Sequence, residues 1–301
     1  MRTRTRRQGL VGLGAILLVW GLLGAGPGRR AGAPTVTWRP ERPVQGHLFV
    51  LRVTPGPEGR PVSVEGTGGG ETLHFQETGG GAFESLAPVP IDASGSLGLE
   101  ITVHYADGRE DTLTPDVPVG SGAYVHEQLT VAPRFGAPPD SADRARLARD
   151  RAKAAEVSQA AHRTSRIWTD ELVMPRNARV TSGFGDGREF NGQISSRHMG
   201  LDLDGQPGDT VRAVARGVVA LVDEFLLAGK IVYLNHGAGL LSGYFHLSQQ
   251  LVLEGDTVEA GTPIGRVGAT GRVTGPHLHW VVRYGSTSVD PRSLMAVGGG
   301  R

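Results

Sequence analysis

The chain contains no cysteine, so neither a disulfide nor a thiolate-held metal is available to it. Charge of one sign is also missing: 31 basic side chains stand against 30 acidic ones, which excludes a global electrostatic pull toward nucleic acid or an anionic membrane. Lysine occurs only at Lys153 and Lys230, so nearly all the positive charge is arginine, a bias we attribute to genomic base composition. Long helical patterns are scarce, whereas Gly (46) and Pro (19) are abundant among the 301 residues; together these favour a mainly β, turn-rich chain. The length suits two modest domains and a tether.

Arg2, Arg4, Arg6 and Arg7 precede an apolar run from Leu10 to about Leu23, the layout of an export signal. The run is shorter than the roughly 20 residues of a comfortable spanning helix. We therefore expect residues 1–33 to be an export signal or signal anchor, the chain to act in the periplasm, cell envelope or outside, and membrane contact to come only through this segment if it stays uncleaved. From 34 to 135, short alternating segments such as Leu99-Glu100-Ile101-Thr102-Val103-His104-Tyr105 are separated by turns such as Gly68-Gly69-Gly70 and Asp107-Gly108. About seven strands in this span predict an immunoglobulin-like β-sandwich. Its histidines, His47, His74, His104 and His126, have no acidic neighbour at ligand spacing and read as ordinary strand or surface residues.

Residues 136–168 read as a helical connector. Asp140 or Ser141 can cap a helix to about Ser165, with Leu147, Ala154, Val157 and Ala161 at helical spacing. Its functional reading is a lever or inhibitory element over the site; its plainer one is a connector packed between domains. From 169 to 301 the chain reads as an antiparallel meander, with strand-like Gly217 to Val222, Ile231 to Leu234, Leu241 to His246 and His279 to Arg283. The polar stretch from Asp186 to Arg197 is expected to be a loop on the rim of a cleft.

Two stretches of this last part carry chemistry. In Thr274-Gly275-Pro276-His277-Leu278-His279-Trp280, two histidines two apart on a strand share a face while Leu278 points into a core. One added carboxylate, from Asp202 or Asp204, would complete a metal set of two imidazoles and one carboxylate with a position open for water. In Ser195-Ser196-Arg197-His198-Met199-Gly200-Leu201-Asp202-Leu203-Asp204, a regular strand would hold His198 and Asp202 about 13 Å apart, at about 3.3 Å per residue. The backbone must bend between them for both to share one ion, and Gly200 permits such a bend.

These two motifs, His198-x-x-x-Asp202 and His277-x-His279, resemble those of the M23 family of zinc metallopeptidases, the LytM and lysostaphin type, over about Val180 to Leu294. The resemblance implies His198, Asp202 and His279 as ligands of one zinc ion per chain, Asp204 being the reserve. Tyr244-Phe245-His246-Leu247 is similar to a further family segment, which implies that His246 and His277 are the catalytic histidines. On a regular strand His246 and Tyr244 would share the cleft, with Phe245 and Leu247 inside. Some lysostaphin-like members place a catalytic tyrosine on the rim loop; here that loop carries Phe184 and Phe190. His162 and His236 are set aside. The implied activity is zinc-dependent endopeptidase cleavage of peptidoglycan peptide cross-links, with peptidoglycan as partner. The alternative is a non-catalytic M23-like module that binds the wall and activates another hydrolase, although such relatives typically lack the metal ligands.

Overall fold

The computed structural model describes residues 21–22, 32–136, 138–169, 171–192 and 194–298. Most of segment 1–33, including its arginines and all but two residues of its apolar run, lies outside them. No helix among the described residues is long and apolar enough to cross a membrane.

The architecture is mainly β. In Ser96–Tyr105 the alternation holds: Leu97, Leu99, Ile101, Val103 and Tyr105 are buried while their neighbours face outward. This strand joins Asp116–Pro118, Glu110–Leu113, Pro61–Gly68 and Glu71–His74 in one sheet. A second sheet, ordered Gly21–Leu22, Thr35–Arg39, Leu48–Thr54, Phe83–Pro88 and Gln76–Glu77, completes the expected N-terminal sandwich. The inward faces of both sheets, with Trp38, Phe49, Leu51, Leu99 and Ile101, form part of one apolar core.

The helix spans Ser141–His162, and Asp140 caps it by accepting from the Asp143 N–H at 2.8 Å. Ala154 and Val157 pack on Leu221, Phe225, Ile231, Tyr233, Leu241, Phe245 and Val281 of the C-terminal sheet. At its other end His162 meets the sandwich: its Nε2 lies 3.0 Å from Glu71 Oε2 and its Nδ1 2.8 Å from His74 Nε2. Glu71 also accepts from the Ser286 N–H at 2.9 Å and the Thr287 hydroxyl at 2.9 Å. The helix therefore ties the sandwich to the sheet that carries the site.

That sheet has ten strands, ordered Val180–Ser182, Leu201–Asp204, His277–Tyr284, Leu240–Gln250, Gly229–Gly237, Gly217–Phe225 and Thr257–Val258 along its main path, all antiparallel. Leu201, Leu203, Leu278 and Trp280 are fully buried on one face. Because side chains alternate, this burial sends Asp202, His277 and His279 to the other face.

One expectation is corrected here. The stretch from Asp186 to Arg197 is a hairpin, Gly187–Phe190 pairing with Ile194–Arg197, and His126–Leu129 adds a parallel third strand. The third strand arrives from nearly sixty residues upstream, a pairing that local composition does not encode.

Candidate metal centre

The register of Leu201–Asp204 against His277–Tyr284 sets Asp202 opposite His279 and Asp204 opposite His277. His198 enters from the short segment between Ile194–Arg197 and Leu201–Asp204, where its N–H donates to the Asp186 carbonyl at 2.7 Å and its carbonyl accepts from Gly185 at 2.7 Å. The required bend is thus present. Gly200 serves it by space and not by an unusual dihedral: a Cβ there would lie 2.7 Å from His279 Cε1 and Nε2 and 2.7 Å from the Trp280 carbonyl.

Three donor atoms converge. His198 Nε2 is 3.0 Å from Asp202 Oδ1, His279 Nδ1 is 2.7 Å from the same oxygen, and the two ring nitrogens are 2.9 Å apart. Among the described residues this is the one group of three or more acidic or imidazole side chains arranged to hold a metal ion. The donor chemistry fits a divalent cation. His198 Nδ1 faces the Gly183 carbonyl, which only accepts, so Nδ1 carries the proton and Nε2 presents a lone pair. Burial alone would raise the Asp202 carboxyl, but the imidazoles of His198 and His279 set against it outweigh burial and hold the carboxyl well below its usual range. Burial lowers His279 to about 4, so at neutral pH its ring is neutral and free to ligate.

Asp202 has a second anchor. Arg188 Nη2 donates to Asp202 Oδ2 at 2.6 Å and to Ser182 Oγ at 2.7 Å, while Arg188 Nε donates to Glu127 Oε2 at 3.0 Å. The Ser182 hydroxyl donates to Glu127 in turn, at 2.9 Å. The carboxylate oxygen that does not face the histidines is therefore fixed. Glu127, Ser182 and Arg188 carry no signal in the sequence, because the hairpin reads there as a polar loop and Glu127 reaches it from the N-terminal half.

Both remaining histidines adjoin the set. His246 and His277 ring centroids are 4.9 Å apart, and His277 Nε2 is 3.6 Å from Asp202 Oδ1. Nδ1 of His246 donates to the Thr270 carbonyl and Nδ1 of His277 to the Gly275 carbonyl, each at 2.8 Å, which leaves both Nε2 lone pairs unprotonated in the neutral rings. Burial, then the neighbouring His279 and His277, lowers His246 well below its ordinary value.

The expected position of Tyr244 is overturned. His246 has φ +61°, a left-handed conformation uncommon outside glycine, and the ladder shifts register around it. Phe245, opposite His279, thus joins His246 on the site's face, its ring centroid 5.4 Å from that of His279. Tyr244, opposite Trp280, is fully buried on the other face, where its hydroxyl accepts from the Val214 N–H at 2.8 Å. Asp204 stays exposed beside Arg179, 3.6 Å away, and outside the donor set. His236 is buried between the Arg216 carbonyl and Ser242. His47, His104 and His126 meet acidic partners after all, respectively Asp290 at 3.7 Å, Glu110 at 3.0 Å and Glu189 at 3.8 Å, all outside the donor set.

A cleft of about 230 Å³ opens on the centre, lined among others by Asp202, His246, His277, Glu127, Arg188, Phe190 and Arg272. The arrangement can hold a cation and move protons beside it.

Comparison with known proteins agrees with this geometry. Residues 196–291 match the family described as Peptidase family M23. Over 118 residues the chain is 36% identical to the peptidoglycan DD-endopeptidase ShyC of Vibrio cholerae, covering 38% of this chain and 27% of that protein. Over 97 residues it is 40% identical to the DD-carboxypeptidase/endopeptidase Mpg of Neisseria meningitidis, covering 32% of this chain and 22% of that protein. The chain thus spans about a quarter of the length of these relatives. A solved Pseudomonas aeruginosa structure described as a peptidase M23 superposes with a TM-score of 0.65 at 25% identity, covering 85% of this chain and 96% of that one. His198, Asp202, His246, His277 and His279 all fall within the matched stretch, so residues 196–291 form a peptidase family M23 domain whose likeness extends to the centre as well as the sheet.

Proposed function

We propose that the chain is an exported zinc metalloendopeptidase that hydrolyses amide bonds in peptidoglycan peptide cross-links. The observation that carries this reading is the convergence of His198 Nε2, Asp202 Oδ1 and His279 Nδ1 beside the unprotonated Nε2 atoms of His246 and His277. Three protein ligands, two imidazoles and a carboxylate, are the composition of a catalytic site that keeps a position open. When bound, zinc supplies Lewis acidity that polarises the scissile carbonyl and acidifies a water.

The chain's own groups do the rest. Arg188 holds Asp202 in orientation, and the Gly183 carbonyl fixes the His198 tautomer. His246 and His277 divide between them the uptake of the water's proton and its delivery to the departing nitrogen, with their Nε2 atoms free to accept and their Nδ1–H groups tied to backbone carbonyls. Phe245 and the sheet beneath shield one side of the centre from water.

We assign this chemistry to residues 169–301, with 34–135 as the sandwich that positions it, 136–168 as the connector, and 1–33 as the export segment. The retained ligand set argues against the non-catalytic activator. The substrate rests on the two relatives whose names specify peptidoglycan or DD-peptide bonds.

The test is digestion of purified sacculi by the full chain, with a chelator and His279→Ala as controls and mass spectrometry of the products. Loss of cross-linked muropeptides only with wild type and metal is the expected result. Intact cross-links in the presence of stoichiometric bound zinc would overturn the assignment.

A further inference from the structure

Arg272 lies on the cleft wall and takes no part in the scheme above. Its guanidinium sits 3.9 Å over the Phe190 ring, and its backbone N–H donates to the Leu227 carbonyl at 2.8 Å. Among the described residues no carboxylate pairs with it. Its neighbour Arg188 is different, being engaged by Asp202, Ser182 and Glu127. Burial, then the charge of Arg188, lowers Arg272 to about 10, so it is half withdrawn from water yet still cationic at neutral pH. A desolvated cation with no anion is costly to keep unless an incoming anion completes it. The contact with Phe190 holds the guanidinium in place while its N–H groups meet no carboxylate, and a guanidinium so held can bind a carboxylate through two parallel hydrogen bonds.

The position of Arg272 in the chain says which carboxylate. The loop from Thr270 to Gly275 supplies both carbonyls that hold His246 and His277. Arg272 lies on that loop, so it is registered to the two histidines that handle the departing amine.

We propose that Arg272 binds a free carboxylate on the residue that contributes the scissile nitrogen, selecting cross-links whose amine-side residue is a free acid over amidated or glycyl ones. This rests on the hydrolase reading above and specifies its substrate.

The test uses the zinc-loaded full chain and two synthetic cross-linked peptides that differ only in a carboxylate or a carboxamide beside the scissile nitrogen. Wild type is expected to favour the carboxylate in kcat/KM by roughly ten- to a hundredfold, the range for one charge-assisted pair. Arg272→Gln should erase most of that ratio, and Arg272→Lys, which keeps charge without the fork, should retain part of it. Equal cleavage of both peptides by wild type would overturn the proposal and leave the hydrolase reading standing. A ratio unchanged in Arg272→Gln, with both rates lowered together, would also overturn it, since a purely structural role predicts that pattern. If neither peptide is cut, the hydrolase reading falls and calorimetric binding decides: tighter binding of the carboxylate peptide that Arg272→Gln abolishes supports the clamp, and equal affinities refute it.

Discussion

Gly200→Ala is the substitution that most directly tests the reading of the centre. The added methyl would stand 2.7 Å from two ring atoms of His279 and from the Trp280 carbonyl, about 0.7 Å short of the 3.4 Å at which ordinary contact begins. Rotating a side chain cannot relieve this. One obstacle is backbone in the middle of a strand whose Trp280 is fully buried, and the other is a ring held 2.7 Å from Asp202. Either the ring or the segment carrying His198 must move by several tenths of an ångström, while metal sites tolerate about 0.2 Å in ligand distance. Overpacking of this kind costs about 1–3 kcal/mol of fold stability, and displaced ligands should cost at least the 10–100-fold in metal affinity typical of a lost supporting contact. The assay is zinc retention against a graded series of competing chelators, with a thermal melt of each metal-free protein to separate affinity from folding. A variant that melts lower but holds zinc as tightly as wild type would refute the claim that Gly200 exists to let His279 and His198 meet.

Arg188→Met should weaken zinc binding by about 10–100-fold in the same chelator series, because Asp202 Oδ2 loses its 2.6 Å donor; unchanged affinity would show that the two histidines suffice to orient the carboxylate. Tyr244→Phe should lower stability by about 1–3 kcal/mol in denaturant melts, since the buried Val214 N–H loses its acceptor, with KM unaffected; a change confined to KM would return Tyr244 to the cleft. His236 provides a pH prediction: burial lowers it from 6.5 to about 4, so the unfolded chain binds more protons between those values and stability falls as pH drops through that window. At about 1.36 kcal/mol per unit the loss reaches roughly 3 kcal/mol below pH 4, and His236→Gln should flatten that part of a stability–pH curve; an unchanged slope would refute it.

Most of the sheet was legible because burial imposes a period of two on it. Leu201, Leu203, Leu278 and Trp280 mark the inside, and they put Asp202 and His279 on the polar faces of their strands; the register that sets the two opposite each other belongs to the tertiary pairing. The Asp140 cap and the sandwich strands were readable for the same local reasons. What could not be read are the departures from periodicity. His246 lies at a left-handed position, and that single residue reverses which neighbours accompany it: the regular pattern puts Tyr244 in the cleft, whereas the shifted ladder puts Phe245 there. A bulge depends on how two distant strands settle their registers, so the five letters around it do not announce it.

The same reasoning explains why the contacts around the candidate donors are not written in the motifs that carry those donors. Ligands must share an ion, and that demand leaves short spacings such as His-x-His. An anchor must only reach its ligand, and any strand that the fold brings close can supply it. Here the groups steadying Asp202 come from three places: Ser182 on an edge strand, Arg188 on the hairpin, and Glu127 on a strand that pairs in parallel with it. None of the three lies in the matched stretch 196–291. The candidate donors are therefore written in two motifs, but the contacts that aim the carboxylate are assembled from both halves of the chain.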